Sequence, residues 1–315
     1  MTREAAFWGS LVLVFLAGLA FTQVYDNEYY FNFAYVVLQA TVMAIAWNIL
    51  GGFTGYVNFG SAGFFAVGAY ISVFLHKLIA APLPLLIVTS GAVCGLIGLA
   101  IGLLTLRLRG VYFAIATLAV AIVAQTLVDN WEFVGGAGGA YIISDDPPAM
   151  FGSPVEFLFV VMLILALIAA AVSRAMNNSK LGRGLAAIRE DEIAAECAGV
   201  PTLRLKLIST AIMGVLMGFA GAPYPFYATY IDPASAFSLF VAVNAIAMPM
   251  IGGTEMWLGP IVGALLLGSA QQVATATISS EINLLIVGIA LVFFITLAPR
   301  GIVGLVSGLI ERGRK

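Results

Sequence analysis

One histidine, two cysteines and one dense island of charge are the parts of this 315-residue chain from which chemistry could be built. Hydrolytic or redox catalysis needs a nucleophile beside its base, a metal-spaced cluster or a cofactor fingerprint. His76 stands next to Lys77 at the edge of an apolar run and is read as a solvated loop residue. Cys94 lies in an apolar run and Cys197 in the charged island, so the two are expected on different sides of a hydrophobic wall, with no disulfide and no metal cluster. None of Lys77, Lys180, Lys206 and Lys315 stands in the Gly-x-x-x-x-Gly-Lys-Ser/Thr loop that cradles phosphates. No catalytic, cofactor-binding or metal-ligating residue is expected, and the chain is not read as an enzyme.

The charged island runs Leu-Gly-Arg-Gly-Leu-Ala-Ala-Ile-Arg-Glu-Asp-Glu-Ile-Ala-Ala-Glu-Cys-Ala-Gly-Val-Pro-Thr-Leu-Arg-Leu-Lys, from Leu181 to Lys206. Asn177, Asn178 and Ser179 offer helix-starting side chains, and Gly199 followed by Pro201 is a helix-ending pattern, so one short helix or two are expected between them. On a single helical wheel Arg189 and Glu196 project among Leu185, Ile193 and Val200, which is not the clean apolar face of a helix lying on lipid. Glu190, Asp191, Glu192 and Glu196 would also be repelled by anionic headgroups. Glu192 and Glu196, four residues apart, repel one another. The island therefore reads as a surface for a soluble partner carrying basic groups.

The elements that hold this island are greasy. The chain is 62% hydrophobic and 10% charged, against roughly 25% charged in an ordinary soluble domain. Charges are costly at mid-bilayer, so the uncharged gaps between them mark where helices of about 20 residues can span. Glu4 to Asp26 leaves 21 residues, Lys77 to Arg107 leaves 29, Arg109 to Asp129 leaves 19 and Lys206 to Asp232 leaves 25. The 48-residue gap from Glu28 to Lys77 holds two spans, divided at Gly51-Gly52-Phe53-Thr54-Gly55. The expected fold is an all-α membrane protein of about ten transmembrane helices in one domain covering 1–315. The spans are placed near 6–24, 32–51, 59–76, 84–106, 111–128, 157–173, 207–229, 236–254, 258–277 and 282–298, with an external loop at 129–156 and a cytoplasmic segment at 174–206.

Cytoplasmic N- and C-termini put every one of the 14 basic residues except Lys77 on the cytoplasmic side, as the positive-inside rule demands. Arg3 followed by an apolar run ending in Ala17-Gly18-Leu19-Ala20 also has the form of a cleavable leader, but we read it as the first span, whose loss would not flip the rest. Gly91, Gly95, Gly98 and Gly102 share one face of the fourth span, and Gly214 and Gly218 are four apart in the seventh, a spacing that lets helix backbones approach in lipid. Pro223, Pro225 and Pro249 predict kinks or unwound turns. An echo at an offset of 200 pairs Gly52, Thr54, Gly63 and Gly68 with Gly252, Thr254, Gly263 and Gly268, a duplication of the kind transporters use.

The spans carry no acid or base of the sort that proton- or sodium-driven carriers bury, and Glu255 is placed at a cytoplasmic turn beside Trp257. Polar neutral residues remain, and Asn48, Asn58 and Ser61 around the glycine break, with Asn244, are the expected pathway residues.

The run Gly184-Leu-Ala-Ala-Ile-Arg-Glu-Asp-Glu-Ile-Ala-Ala-Glu-Cys-Ala-Gly199 resembles the cytoplasmic coupling segment of LivM-type permeases of bacterial ABC importers for branched-chain amino acids. Gly55-Tyr-Val-Asn-Phe-Gly60 with Gly63, Leu106-Arg-Leu-Arg-Gly-Val-Tyr-Phe-Ala114, Gly252-Gly253 leading to Trp257-Leu-Gly-Pro260, and Ala298-Pro-Arg-Gly-Ile302 agree with it, so the resemblance extends from about residue 36 to 306. The chain departs from the family in one loop: the family commonly has Thr-Gly-Gly-Ser-x-Gly where this chain reads Val134-Gly-Gly-Ala-Gly-Gly139, without either hydroxyl. The resemblance implies a permease subunit in a bacterial inner membrane, paired with a LivH-like permease, two cytoplasmic ATPases that use ATP and Mg, and an external substrate-binding protein. It makes Gly184, Arg189, Glu190, Asp191, Glu192, Glu196 and Gly199 the ATPase-coupling residues. Glu132, Asp145 and Asp146 in the external loop are expected to dock the binding protein. No nucleic-acid partner is expected. A permease of the same family for urea, short amides or other small solutes, and a self-contained secondary carrier or channel, are the alternative readings.

Overall fold

The computed structural model describes residues 3–25, 27–142, 151–277, 282–297 and 301–305. Its long helices in chain order are α1 (Arg3–Val24), α2 (Glu28–Thr54), α3 (Ser61–Ile79), α4 (Leu83–Thr105), α5 (Val111–Asp129) and α6 (Pro154–Asn178). Two short helices follow, α7 (Lys180–Glu190) and α8 (Glu192–Cys197). The remainder is α9 (Thr202–Gly221), α10 (Tyr224–Ala228), α11 (Pro233–Ala236), α12 (Leu239–Gly252), α13 (Gly259–Thr277) and α14 (Ile282–Leu297). Two short strands, β1 (Ala140–Tyr141) and β2 (Tyr230–Ile231), pair antiparallel, Ala140 opposite Ile231.

Among the described residues eight helical stretches are long and apolar enough to cross a membrane, α9 with α10 and α11 with α12 each counting once. The expected ninth and tenth spans are α13 and α14. Gln271, Gln272, Thr275 and Thr277 dilute α13, and α14 has only 16 residues. The break between α9 and α10 falls where proline removes a backbone donor, with Pro223 capping α10 and Pro225 in its first turn, whereas Pro249 sits inside α12, which runs unbroken from Leu239 to Gly252.

The centre of the bundle is α2, α3, α4 and α9. In lipid, burying apolar surface gives helices little reason to associate, so backbone approach decides. A Cβ at Gly98 would lie 2.8 Å from the carbonyl oxygen of Thr210, one at Gly214 would lie 2.5 Å from that of Cys94, and one at Gly218 would lie 2.7 Å from that of Ser90. The two glycine stripes of the sequence thus face each other across the α4–α9 seam. On the α3 side of α4, Ser90 Oγ donates to the carbonyl of Gly68 (2.9 Å) and the Cys94 thiol to that of Phe64 (3.3 Å). α1 is peripheral: it leans on α6 with Gly18 under Leu163, and Trp8, Leu13 and Leu16 are exposed.

His76 lies within α3, half-buried, with its ring edge-on to Phe226 at 5.1 Å, and is not in a loop. The apolar run ends later than the charge of Lys77 implies, because α3 continues to Ile79 and carries the lysine in its last turn.

Candidate functional site

The charged island is two helices, not one. The Ser179 side chain caps α7 by accepting from the Gly182 amide (3.1 Å), and Asp191, extended at φ −159°, caps α8 by accepting from the amides of Ile193 (2.8 Å) and Ala194 (3.0 Å). That break re-aims everything after Glu190 and voids the single-wheel reading. Leu185, Ile188 and Ala195 are buried against the bundle, whereas Ile193 is 60% exposed, with Ala194, Cys197, Ala198 and Leu203 also exposed around it. Gly184 lets α7 lie on Leu205 of α9, and Gly199, at φ +83°, turns the chain after α8.

The acids divide between surface and interior. Glu190 is exposed and paired with Arg189 at 3.4 Å. Glu196 accepts from the Thr202 hydroxyl (2.6 Å). Glu192 turns inward: its side chain is 11% exposed and meets the Nζ of Lys206, itself 3% exposed, at 2.6 Å. The Tyr56 hydroxyl donates to the other carboxylate oxygen, and Arg109 lies 3.6 Å from that same oxygen. Lys206 also reaches the Tyr56 hydroxyl (3.2 Å) and the Leu106 carbonyl (3.3 Å), with its Nζ 4.6 Å from the centre of the Tyr56 ring. Burial would push the Glu192 carboxyl up, but hydrogen bonds from Lys206 and Tyr56, with the charges of Lys206 and Arg109, hold it below the ordinary glutamate range. Burial and the same carboxylate push the Tyr56 phenol up.

Two ionisable groups that mark span ends in the sequence are buried within the protein. Lys206 lies in the second turn of α9, and Glu156, in the first turn of α6, is buried and accepts from the Gly152 amide (2.8 Å). Counting charges as span ends misses both, because each is compensated inside the protein.

Tyr56 belongs to a non-helical segment, 55–60, that turns back between the helices. Backbone of this kind is tolerated at membrane depth only where the protein satisfies its polar groups. It does so here: Gly55, at φ +77°, bonds back to Gly51, the Asn58 carbonyl accepts from the Trp47 indole (2.9 Å), Asn58 Oδ1 accepts from the Gly60 amide (2.7 Å), and the Phe59 amide donates to Thr117 Oγ1 (3.2 Å). Asn48 donates to the carbonyl of Thr254 (3.1 Å), so the two echoed glycine breaks touch. Arg189 joins them as well, lying 3.5 Å from the Gly52 carbonyl and 3.7 Å from the Glu255 carboxylate.

Of the four expected pathway residues, only Asn244 lines the large cavity. That cavity, of about 220 Å³, lies among α2, α10 to α13 and Phe65 of α3. Its polar wall is Gln39, Ser235, Asn244, Gln271, Gln272 and Thr275, and no charged residue lines it among the described residues. Gln271 Nε2 donates to Asn244 Oδ1 (2.8 Å), and Gln39 Nε2 donates to the Ala220 carbonyl (3.1 Å). Asn58 instead lines a small apolar pocket of about 30 Å³, one water's share, and Asn48 and Ser61 are fully buried away from the large cavity. Gln39, Gln271 and Gln272 belong to the polar neutral span residues from which a pathway was expected, though not to the four put first.

At the opposite end Glu132 is exposed on a 3₁₀ turn, and the loop Val134–Gly139 folds back so that Gly138 accepts from the Tyr230 hydroxyl (3.0 Å). Asp145 and Asp146 lie outside the described residues.

A helical bundle built for lipid, with a neutral cavity and a two-helix projection at its basic end, defines a multi-pass membrane permease subunit. Residues 29–295 match the family described as branched-chain amino acid transport system / permease component, and the chain belongs to that family. It is 28% identical over 289 residues to the high-affinity branched-chain amino acid transport system permease protein LivM of Salmonella typhimurium, covering 83% of this chain and 67% of that one. It is 22% identical over 303 residues to LivH of the same organism, covering 89% of this chain and 96% of that one. A metal-chelate type ABC transporter solved in an inward-facing conformation aligns over 93% of this chain and 99% of that one, at 15% identity and a TM-score of 0.45.

Proposed function

We propose that this chain is one of two permease subunits of an ATP-driven importer of branched-chain amino acids and forms half of the translocation pathway. Its family match, which runs from α2 into α14 and takes in both the α7–α8 projection and the cavity, carries the reading. The second subunit is a LivH-like permease that completes the cavity wall. The cavity wall is mainly apolar with a few amides, and a second subunit seated over it would shield those amides from lipid. At about seven water volumes the space suits a small solute, and neutral amides can hand on a zwitterion without holding it.

The basic end faces the cytoplasm, as Arg109, Arg174, Arg189 and Lys206 gather there. ATP and Mg are used by two separate ATPase subunits, one of which receives α7–α8 in a cleft. Ile193 supplies the apolar anchor of that surface and Glu190 and Asp191 its charged rim, an arrangement typical of protein interfaces. On the other side Glu132, with Asp145 and Asp146, contributes to the contact with a substrate-binding protein.

The test is solute competition in vesicles holding both permeases and ATPases, supplied with the binding protein. Labelled leucine should accumulate, and excess isoleucine or valine should suppress it. Transport of urea or acetamide with no leucine uptake would overturn the substrate assignment.

A further inference from the structure

We infer that the buried triad of Lys206, Glu192 and Tyr56 is the mechanical link that carries motion of the α7–α8 segment to the walls of the cavity, with Lys206 as its positioning residue. The inference rests on the importer reading above and assigns the transmission within it.

Three elements meet at one amine. Glu192 is the first residue of α8, Lys206 lies on α9, and Tyr56 lies on the 55–60 segment, all within direct hydrogen-bond reach. The Leu106 carbonyl and Arg109, between α4 and α5, close the cluster from a fourth side. Two of these elements lead to the cavity. α9 ends at Gly221, where the Ala220 carbonyl holds Gln39 in the cavity wall and α10 begins with Tyr224, another wall residue. The 55–60 segment feeds α3, whose Phe65 lines the same cavity.

A buried pair has the property such a link needs. Separating a buried lysine from its carboxylate strands two desolvated charges, so the partners stay together while the elements carrying them move. The apolar contacts of Leu185, Ile188 and Ala195 could slide, whereas the ionic triad fixes direction and register. Its stabilising value is a poor explanation for its presence, since buried ion pairs replaced as a pair by neutral groups are commonly as stable.

That last point supplies the experiment. Single replacement of Lys206 strands Glu192 and could prevent folding, so the test is the double variant Lys206→Met with Glu192→Gln, studied in the complete importer beside Tyr56→Phe and Lys206→Arg. The double variant is expected to assemble in normal amount and hydrolyse ATP, but to import at least about tenfold less solute per ATP; Tyr56→Phe should fall between it and the wild type, and Lys206→Arg should recover most of the ratio. A double variant that imports with the wild-type ratio overturns the link. So does a loss of import accompanied by an equal loss of ATP hydrolysis and assembly, which marks the triad as structural only. Absence of ATP-driven import in the unmodified complex would instead count against the importer reading itself.

Discussion

Proton binding at Glu192 differs between the folded and unfolded chain, and that difference can be read as stability. The carboxyl is held below its ordinary value in the folded protein, so its contribution is complete above the unfolded glutamate pKa of about 4.3 and drains away as pH falls through the lower folded value. Lys206, Tyr56 and Arg109 face it, with Glu196 further along α8. Thermal melts of the purified protein from roughly pH 6 down to roughly pH 3 should therefore lose stability more steeply in the wild type than in the double variant Lys206→Met with Glu192→Gln, which strands no buried charge. Equal slopes would mean that the carboxyl is solvated. None of this was visible in the sequence, where Glu192 is one acid among four and Lys206 marks the end of a charge-free gap. Linear spacing holds no information on the 136-residue separation that brings Tyr56 to Glu192. Asn58 was legible as a special residue beside a glycine break, but spacing did not show that its Oδ1 accepts from the Gly60 amide and its backbone carbonyl from the Trp47 indole.

Helices in lipid are located by composition and joined by the spacing of small residues, and both signals were strong here. The α4 and α9 stripes were readable because a period of three to four residues is itself a helix face. Gly214→Ile should test the seam at its tightest point: the new Cβ would lie 2.5 Å from the Cys94 carbonyl, which belongs to backbone and cannot swing aside. Overpacking costs about 1–3 kcal/mol even where side chains can adjust. The yield of folded, detergent-stable protein should therefore drop sharply, while Gly9→Ile on α1, where a Cβ meets nothing within 4 Å, should be tolerated. Equal yields would place the seam elsewhere. The division of the charged island into α7 and α8 was half legible. Asp191 ahead of Glu-Ile-Ala-Ala is a capping pattern, but it is masked by strong helix formers on both sides, and only the observed extended backbone at Asp191 shows where Ile193 points.

Across the whole molecule, a membrane permease without an energy source of its own needs a lever reaching outside the lipid and a passage inside it. On the function proposed above these are α7–α8 at the basic end and the neutral cavity among α2, α3 and α10 to α13, with the two echoed glycine breaks and the Lys206 triad between them. The all-helical membrane architecture followed from charge counting alone, because the bilayer imposes that order on any chain, although eight stretches rather than ten are long and apolar enough to cross among the described residues. The cavity did not follow, since it is made by side chains from six helices with no common spacing. The most direct test is solute uptake into vesicles carrying this chain alone, or the full set of permeases, ATPases and binding protein, each with and without internal ATP. The account predicts accumulation against a gradient only in the full set with ATP present. Uphill accumulation by this chain alone, without nucleotide, would contradict it.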